Sequence, residues 1–354
     1  MTMPKPLIYD LDREGLKNLL AEWKQPAFRV NQIWEGIYRN LKSAPEEWSN
    51  LPVVLKKIMA EKTEFSGIIP VDRLESSDRM TIKTLFKTRD GQAIEAVLMK
   101  YDERRTLCIS TQAGCAMGCV FCATGQMGFF RNLTSGEIVE QVLYFARELK
   151  KVGETVTNIV IMGMGEPFIN YDNTLDAIDR LNDPRGFGLG ARRFTISTVG
   201  LVPKIQEFTK EKRQVNLAVS LHAANDELRS KLLPINRQYP LSELIPACRD
   251  YVETTGRRIT FEWALIDNVN DRLEDARELA GLVNGMICHV NVIPLNPTTK
   301  FSGNATSLER AQAFSNELNS AGVPCTIRLR RGIDIQAGCG QLAGKHHEAS
   351  SNSA

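Results

Sequence analysis

The sequence predicts an α/β fold: a partial (β/α)6, TIM-like barrel, preceded by a small helical module and joined to it by a β-hairpin extension. Three observations carry this expectation. From residue 104 onward, apolar strand-like runs near 105–111, 156–162, 193–198, 214–220, 258–265, 288–293 and 324–330 alternate with helical patterns. Repeated βα units of this kind build a parallel sheet with right-handed crossovers, and about six of them leave the barrel open. Residues 9–62 instead repeat their apolar side chains at helical spacing alone. Between these two regions the pattern becomes β-like, around an Asp90-Gly91 hairpin signal. The expected division is 1–63 for the helical domain, 64–103 for the extension, 104–342 for the barrel and 343–354 for a polar, disordered tail.

The helical domain reads as three short helices. Leu16, Leu19, Leu20 and Trp23 share one face, and Val30, Ile33, Trp34, Ile37 and Leu41 share another. Pro26 separates the first two helices, and Pro45 and Pro52 bracket the entry to the third. Arg29, Arg39, Lys42, Lys56 and Lys57 fall on the polar faces. In the extension, Ile82, Leu85 and Phe86 form one strand, and Ile94, Val97 and Met99 the next. Glu95 lies on that second strand, where pattern alone makes it an exposed carboxylate. In the barrel, Thr134-x-x-Glu137 and Thr306-x-x-Glu309 read as capping boxes opening helices to about residues 151 and 321. Such barrels place their chemistry at the C-terminal ends of the strands.

At 354 residues the chain can bury a large core. Hydrophobic content of 43% and charge of 24% are ordinary for a soluble globular protein. No apolar run approaches the ~20 residues needed to cross a bilayer. The start, Met-Thr-Met-Pro-Lys-Pro, lacks a signal-peptide pattern, so a cytoplasmic location with no membrane association is expected. In that reducing compartment the eight cysteines are expected to be ligands, catalysts or core thiols. A net charge of +2 does not diagnose nucleic-acid binding, which would need local basic clusters.

The informative cysteines are Cys115, Cys119 and Cys122, spaced C-x3-C-x2-C in a Gly-containing loop after the first barrel strand. Thiolates suit soft metals and iron–sulfur clusters. A closed zinc site takes four ligands, whereas three leave a position open for chemistry. No second C-x2-C pair completes a zinc ribbon. The loop therefore reads as the holder of a [4Fe–4S] cluster with one iron free. The alternatives are a zinc knuckle or buried core thiols. Core packing is the reading for Cys248, Cys288 and Cys325, which lack flanking glycines.

With Phe121 before its last cysteine, this loop resembles the radical S-adenosylmethionine (SAM) signature. The longer run Cys122-Ala-Thr-Gly-Gln-Met-Gly-Phe-Phe-Arg-Asn-Leu-Thr-Ser-Gly-Glu-Ile138, with Met162-Gly-Met-Gly-Glu-Pro167, Ser220-Leu-His222 and Gly338-Cys-Gly-Gln341, is similar to one branch of it, the RlmN/Cfr-type RNA adenine methyltransferases. The likeness runs to about residue 342. It implies a radical SAM barrel, a [4Fe–4S] cluster on Cys115, Cys119 and Cys122, and two SAM molecules per turnover. It implies that Gly165 and Glu166 hold the methionine part of SAM, whose ammonium suits a carboxylate. Ser197, Ser220, Leu221, His222 and Asn296 are implied to bind its ribose, carboxylate and adenine. Leu295 replaces an aromatic that many relatives carry there, which bears on packing against the SAM adenine.

The resemblance also implies a reaction course. Carbon 2 of adenine is not a nucleophile, so the methyl group passes first to the thiolate of Cys339. A radical formed from a second SAM takes hydrogen from that methyl, and the carbon radical adds to the ring. Glu95, thirteen residues before Cys108, matches a proton acceptor. Cys108 is implied to break the carbon–sulfur bond by forming a disulfide with Cys339. The implied substrates are 23S rRNA and tRNA, methylated at carbon 2 of one adenine; Cfr-type methylation of carbon 8 and a non-catalytic zinc-binding RNA module are the alternatives. The adenine must be unstacked to be reached. Arg192, Arg193, Arg257, Arg258, Arg328, Arg330 and Arg331 are expected at the barrel mouth, and the helical domain is expected to contact RNA. An electron donor such as flavodoxin or ferredoxin and a monomeric state complete the expectations.

Overall fold

The computed structural model describes residues 5–328 and 330–344, so the expected disordered tail lies outside the described residues from 345 on. Three helices come first: α1 (Arg13–Glu22), α2 (Arg29–Tyr38) and α3 (Val53–Lys62). Asp12 caps α1 by accepting from Gly15 N, and Pro52 sits at the N-cap of α3. The Trp and Leu stripes of α1 and α2 are buried and belong to the same apolar core as the barrel. Gly136 N bonds to Asp10, and Arg180 donates to the Tyr9 carbonyl, so the helices are fastened to the barrel wall by polar contacts as well.

The strands form one ten-stranded sheet. β1 (Ile68–Glu75), β2 (Thr81–Thr88), β3 (Ala93–Lys100) and β4 (Arg105–Cys108) pair antiparallel in sequence order. Asp90-Gly91 closes the β2–β3 hairpin as expected, with Gly91 at φ +86°. Strand β1 escaped the sequence pattern: it is an edge strand, mostly exposed and interrupted by Pro70. A second feature that escaped it is a small hairpin of β5 (Gln112–Gly114) and β6 (Phe129–Asn132), with the one-turn helix α4 (Ala123–Met127) between them.

From β4 the sheet runs parallel through β7 (Asn158–Ile161), β8 (Phe194–Thr198), β9 (Asn216–Ser220), β10 (Ile259–Leu265), β11 (Cys288–Pro294) and β12 (Cys325–Ile327). The connections carry α5 (Ser135–Lys151), α6 (Tyr171–Asn182), α7 (Val202–Glu211), α8 (Asp226–Leu232) with α9 (Leu241–Thr255), α10 (Leu273–Leu282) and α11 (Leu308–Ser320). These are the six expected βα units. The Thr134 capping box is present. The Thr306 box is not: Ser307 caps α11 by accepting from Arg310 N, while the Thr306 hydroxyl turns inward to Asp271. The wall stays open between β12 and the hairpin. Residues 330–344 cross that gap: Ser77 N bonds to Asp334, Lys83 to the Gln336 carbonyl, and Thr124 to the Leu342 carbonyl.

Candidate active site

The C-terminal strand ends surround one cavity, lined by Cys108, Cys119, Cys122, Gly165, Glu166, Ser197, Ser220, His222, Asn296 and Cys339, together with Phe121, Glu262 and Arg328. The cysteine loop is shaped by backbone. Cys115 N bonds to the Gly128 carbonyl at 2.8 Å and Cys122 N to the Cys119 carbonyl at 3.1 Å. Gly114, at φ +73°, has no room for a side chain, since a Cβ there would lie 2.0 Å from the Gly128 oxygen. Cys115 and Cys119 are buried and Cys122 is half-buried. Burial pushes the Cys115 thiol up to about 12 and Cys119 well above its ordinary value, so thiolates at these two positions need a cationic centre beside them. No three Cys, His, Asp or Glu side chains among the described residues form a group that could hold a single metal ion. A cubane cluster takes its thiolates on separate irons and does not require such convergence; tetrahedral zinc does.

Glu166 is buried. Its Oε1 accepts from Phe168 N at 3.0 Å and its Oε2 from Val199 N at 2.9 Å. Burial still raises its carboxyl to about 7, so an ammonium group brought beside it would be matched to its charge. Gly165 stands at φ +101°, and a Cβ there would strike Gln112 at 2.5 Å. His222, in the left-handed region at φ +58°, accepts from Ala264 N through Nδ1 at 2.9 Å and meets Phe121 edge to face at 4.9 Å. Burial lowers it to about 3, so the ring is neutral and its proton sits on Nε2. Asn296 gives its Nδ2 to the Cys339 carbonyl at 3.0 Å, while its buried Oδ1 has no partner. Such an orphaned acceptor suits a ligand N–H. Leu221 departs from expectation: its side chain is fully buried in the core and does not line the cavity.

Cys108 and Cys339 are both free and both face the cavity. Burial raises Cys108 to about 12; Cys339 is solvent-exposed at the cavity edge, and the low-dielectric surroundings that raise its thiol to about 11 are correspondingly weaker; in each case Arg328 pulls the other way. Glu95 is not exposed as pattern suggested. It is buried, paired with Lys83 at 3.0 Å, and its Oε2 accepts from Ala343 N and Gly344 N at 2.7 and 3.1 Å. These last contacts show that residues 343 and 344, assigned to a disordered tail, are ordered. Glu95 does not line the cavity but lies just past Val97, which does. Val97 pairs with Cys108 across β3 and β4, so Glu95, Val97 and Cys108 share a face of the sheet.

The basic residues divide. Arg328, Arg330 and Arg331 line the mouth. Arg192–Arg193 and Arg257–Arg258 precede β8 and β10, which puts them at the opposite end of the barrel from the site. The expectation placed them at the mouth because it ignored that parallel strands all begin at the far end. Sequence reading also missed Arg229, a fully buried arginine bonded to the carbonyls of Val199 at 2.8 Å, Ser220 at 3.3 Å and Leu221 at 3.2 Å. It ties the ends of β8 and β9 together. No sequence signal distinguished it from a surface residue of α8.

Residues 109–280 match the family model of the radical SAM superfamily. Over 95% of its length the chain is 49% identical to the dual-specificity RNA methyltransferase RlmN 1 of Myxococcus xanthus, covering 93% of that protein. It is 45% identical to a probable dual-specificity RNA methyltransferase RlmN of Chloroflexus aurantiacus, over 97% of this chain and 94% of that one. A crystal structure of a radical SAM methyltransferase from Sphaerobacter thermophilus superposes with a TM-score of 0.94 at 50% identity, covering 96% of this chain and all of that one. A three-cysteine loop after the first parallel strand, a buried carboxylate after the second and two free thiols lining the same cavity accord with these likenesses, and the chain belongs to the radical SAM superfamily and, within it, to the RlmN family.

Proposed function

We propose that this radical SAM RNA methyltransferase methylates carbon 2 of one adenine in 23S rRNA and one in tRNA, through a methylated cysteine and a covalent RNA adduct. The observation that carries the reading is that Cys108 and Cys339 line the same cavity as Cys119 and Cys122. Cys115, Cys119 and Cys122 would hold a [4Fe–4S] cluster, and Gly165, Glu166, Ser197, Ser220, His222 and Asn296 would hold SAM. When bound, the cluster and two SAM molecules would supply the methyl group and the one-electron chemistry, including uptake of the electron the ring gives up with its proton. An electron donor of the flavodoxin or ferredoxin class, a monomeric state and a cytoplasmic location belong to the same proposal. So do the domain limits at 63 and 103, with the barrel unit reaching at least residue 344.

The protein's own residues have definite tasks. The Cys339 thiolate accepts the methyl group, and Arg328 lowers the cost of forming that thiolate. Glu95 takes the ring proton once the strap of residues 343–344 lifts from it. The Cys108 sulfur then attacks the Cys339 sulfur. An S–S bond forms, the S–C bond breaks, and its electron pair goes to carbon, which takes up a proton to become the methyl group. An external thiol reductant returns the disulfide to two thiols. Digestion of RNA modified by the purified enzyme, with the methyladenosine identified by mass spectrometry, tests the reading. The expected isomer is 2-methyladenosine; 8-methyladenosine would move the enzyme to the Cfr-type reaction, and an unmethylated RNA would overturn both.

A further inference from the structure

Lys83 is a charged residue where charge is costly. It lies on β2, a strand buried on both faces, and only 6% of it is exposed. Its register partner is Val97, placing it on the same face as Glu95 and Cys108. Its ammonium stands 3.0 Å from Glu95 Oε1 and donates to the Gln336 carbonyl at 3.2 Å. Gln336 lies three residues before Cys339 on the segment that crosses the open side of the barrel. The other oxygen of Glu95 is held by Ala343 and Gly344 of the same segment. Buried lysines survive only when paired, and this one joins the base to the thiol-bearing strap.

We infer that Lys83 is the positioning residue of the proton transfer: its ion pair holds the Glu95 carboxylate aimed while the strap shifts, and it registers Glu95 against Cys339. The inference rests on the proton-accepting role proposed for Glu95. In the step, the ring C–H bond breaks, the proton forms an O–H bond on Glu95, the bond's electron pair restores the ring, and the unpaired electron left by methylene addition would pass to the one-electron acceptor, the cluster when bound. Lys83 keeps its own proton and touches neither substrate nor SAM, since it does not line the cavity.

The test compares wild type, Lys83→Met and Lys83→Arg, each loaded with its cluster. Iron content and the extent of methyl on Cys339, read by peptide mass spectrometry, report folding and SAM binding. Covalent protein–RNA adduct and free methyladenosine report the later steps. Lys83→Met is expected to methylate Cys339 as wild type does and to make product on the order of 10-fold to 100-fold more slowly, with adduct accumulating. Lys83→Arg, which keeps the cation, is expected to restore most of the product and to clear the adduct. Wild-type product from Lys83→Met overturns the inference. If Lys83→Met fails to load its cluster, Lys83→Arg decides: a wild-type ratio of product to adduct supports the role, and an adduct-rich ratio overturns it. A wild-type enzyme that leaves RNA unmethylated would instead remove the proposed function, and this inference with it.

Discussion

The Cys339 thiol works against ionisation of Cys108, while Arg328 and a backbone hydrogen bond from Met162 favour it. If Cys108 resolves the adduct, Cys108→Ala should carry methyl on Cys339 normally and trap RNA covalently, as a protein band of raised mass on a denaturing gel. Normal turnover by this variant would remove the resolving role. That Cys339 stands outside the core was legible from its flanking glycines, and that the C-x3-C-x2-C loop follows the first barrel strand was legible from the strand pattern. Glu95 was misread as exposed, and Lys83, Arg229 and Glu262 were not singled out at all. What buries them comes from far along the chain: residues 336 and 343–344 for Lys83 and Glu95, and the ends of β8 and β9 for Arg229. No local pattern encodes that.

At the scale of elements, helix α5 shows how the extension is joined to the barrel. Glu140 on α5 is buried, and its Oε2 accepts from Gly67 N at 2.7 Å and Ile68 N at 3.1 Å, at the start of β1. Burial raises its carboxyl to about 8. The folded state therefore holds a proton that the unfolded chain releases near the ordinary value of about 4.5, so this residue's contribution to stability falls as pH rises from there through about 8. Glu140→Gln keeps an acceptor for both amides without the charge. It should gain on the order of 1 to 3 kcal/mol over wild type at pH 8.5 and little at pH 5, measured by urea unfolding at both values. The reverse ranking would show that the carboxylate is ionised and welcome there. Caps were half legible. Thr134 was read correctly, but at α11 two adjacent hydroxyl residues competed, and only the fold shows Ser307 facing the helix and Thr306 facing Asp271. Ser307→Ala should cost about 1 kcal/mol through the lost cap. Thr306→Ala should cost at least as much through a buried carboxylate left short of a donor; denaturation of the pair checks the order.

For the molecule as a whole, the barrel has two unlike ends, and its arginines are divided between them. With a net charge of only +2, attraction for RNA must be local rather than global. Arg330 and Arg331 sit at the mouth, with Arg331 stacked over Tyr101 at 4.6 Å. Arg257 is spent on Gln214 and Asn216 at the far end, at 3.0 and 2.7 Å. RNA affinity should fall steeply as salt rises, because each phosphate contact releases condensed counterions. Arg330→Ala and Arg331→Ala should each weaken binding and lower the slope of log affinity against log salt by about 1 if each holds a phosphate. Arg192→Ala and Arg257→Ala should leave both the affinity and the slope as they are. Fluorescence anisotropy with a labelled tRNA over a salt series separates the cases. Equal losses from both ends would mean that RNA wraps the barrel instead of entering it, and a slope insensitive to Arg330 and Arg331 would mean that the mouth reads the base and leaves the phosphates to other surfaces.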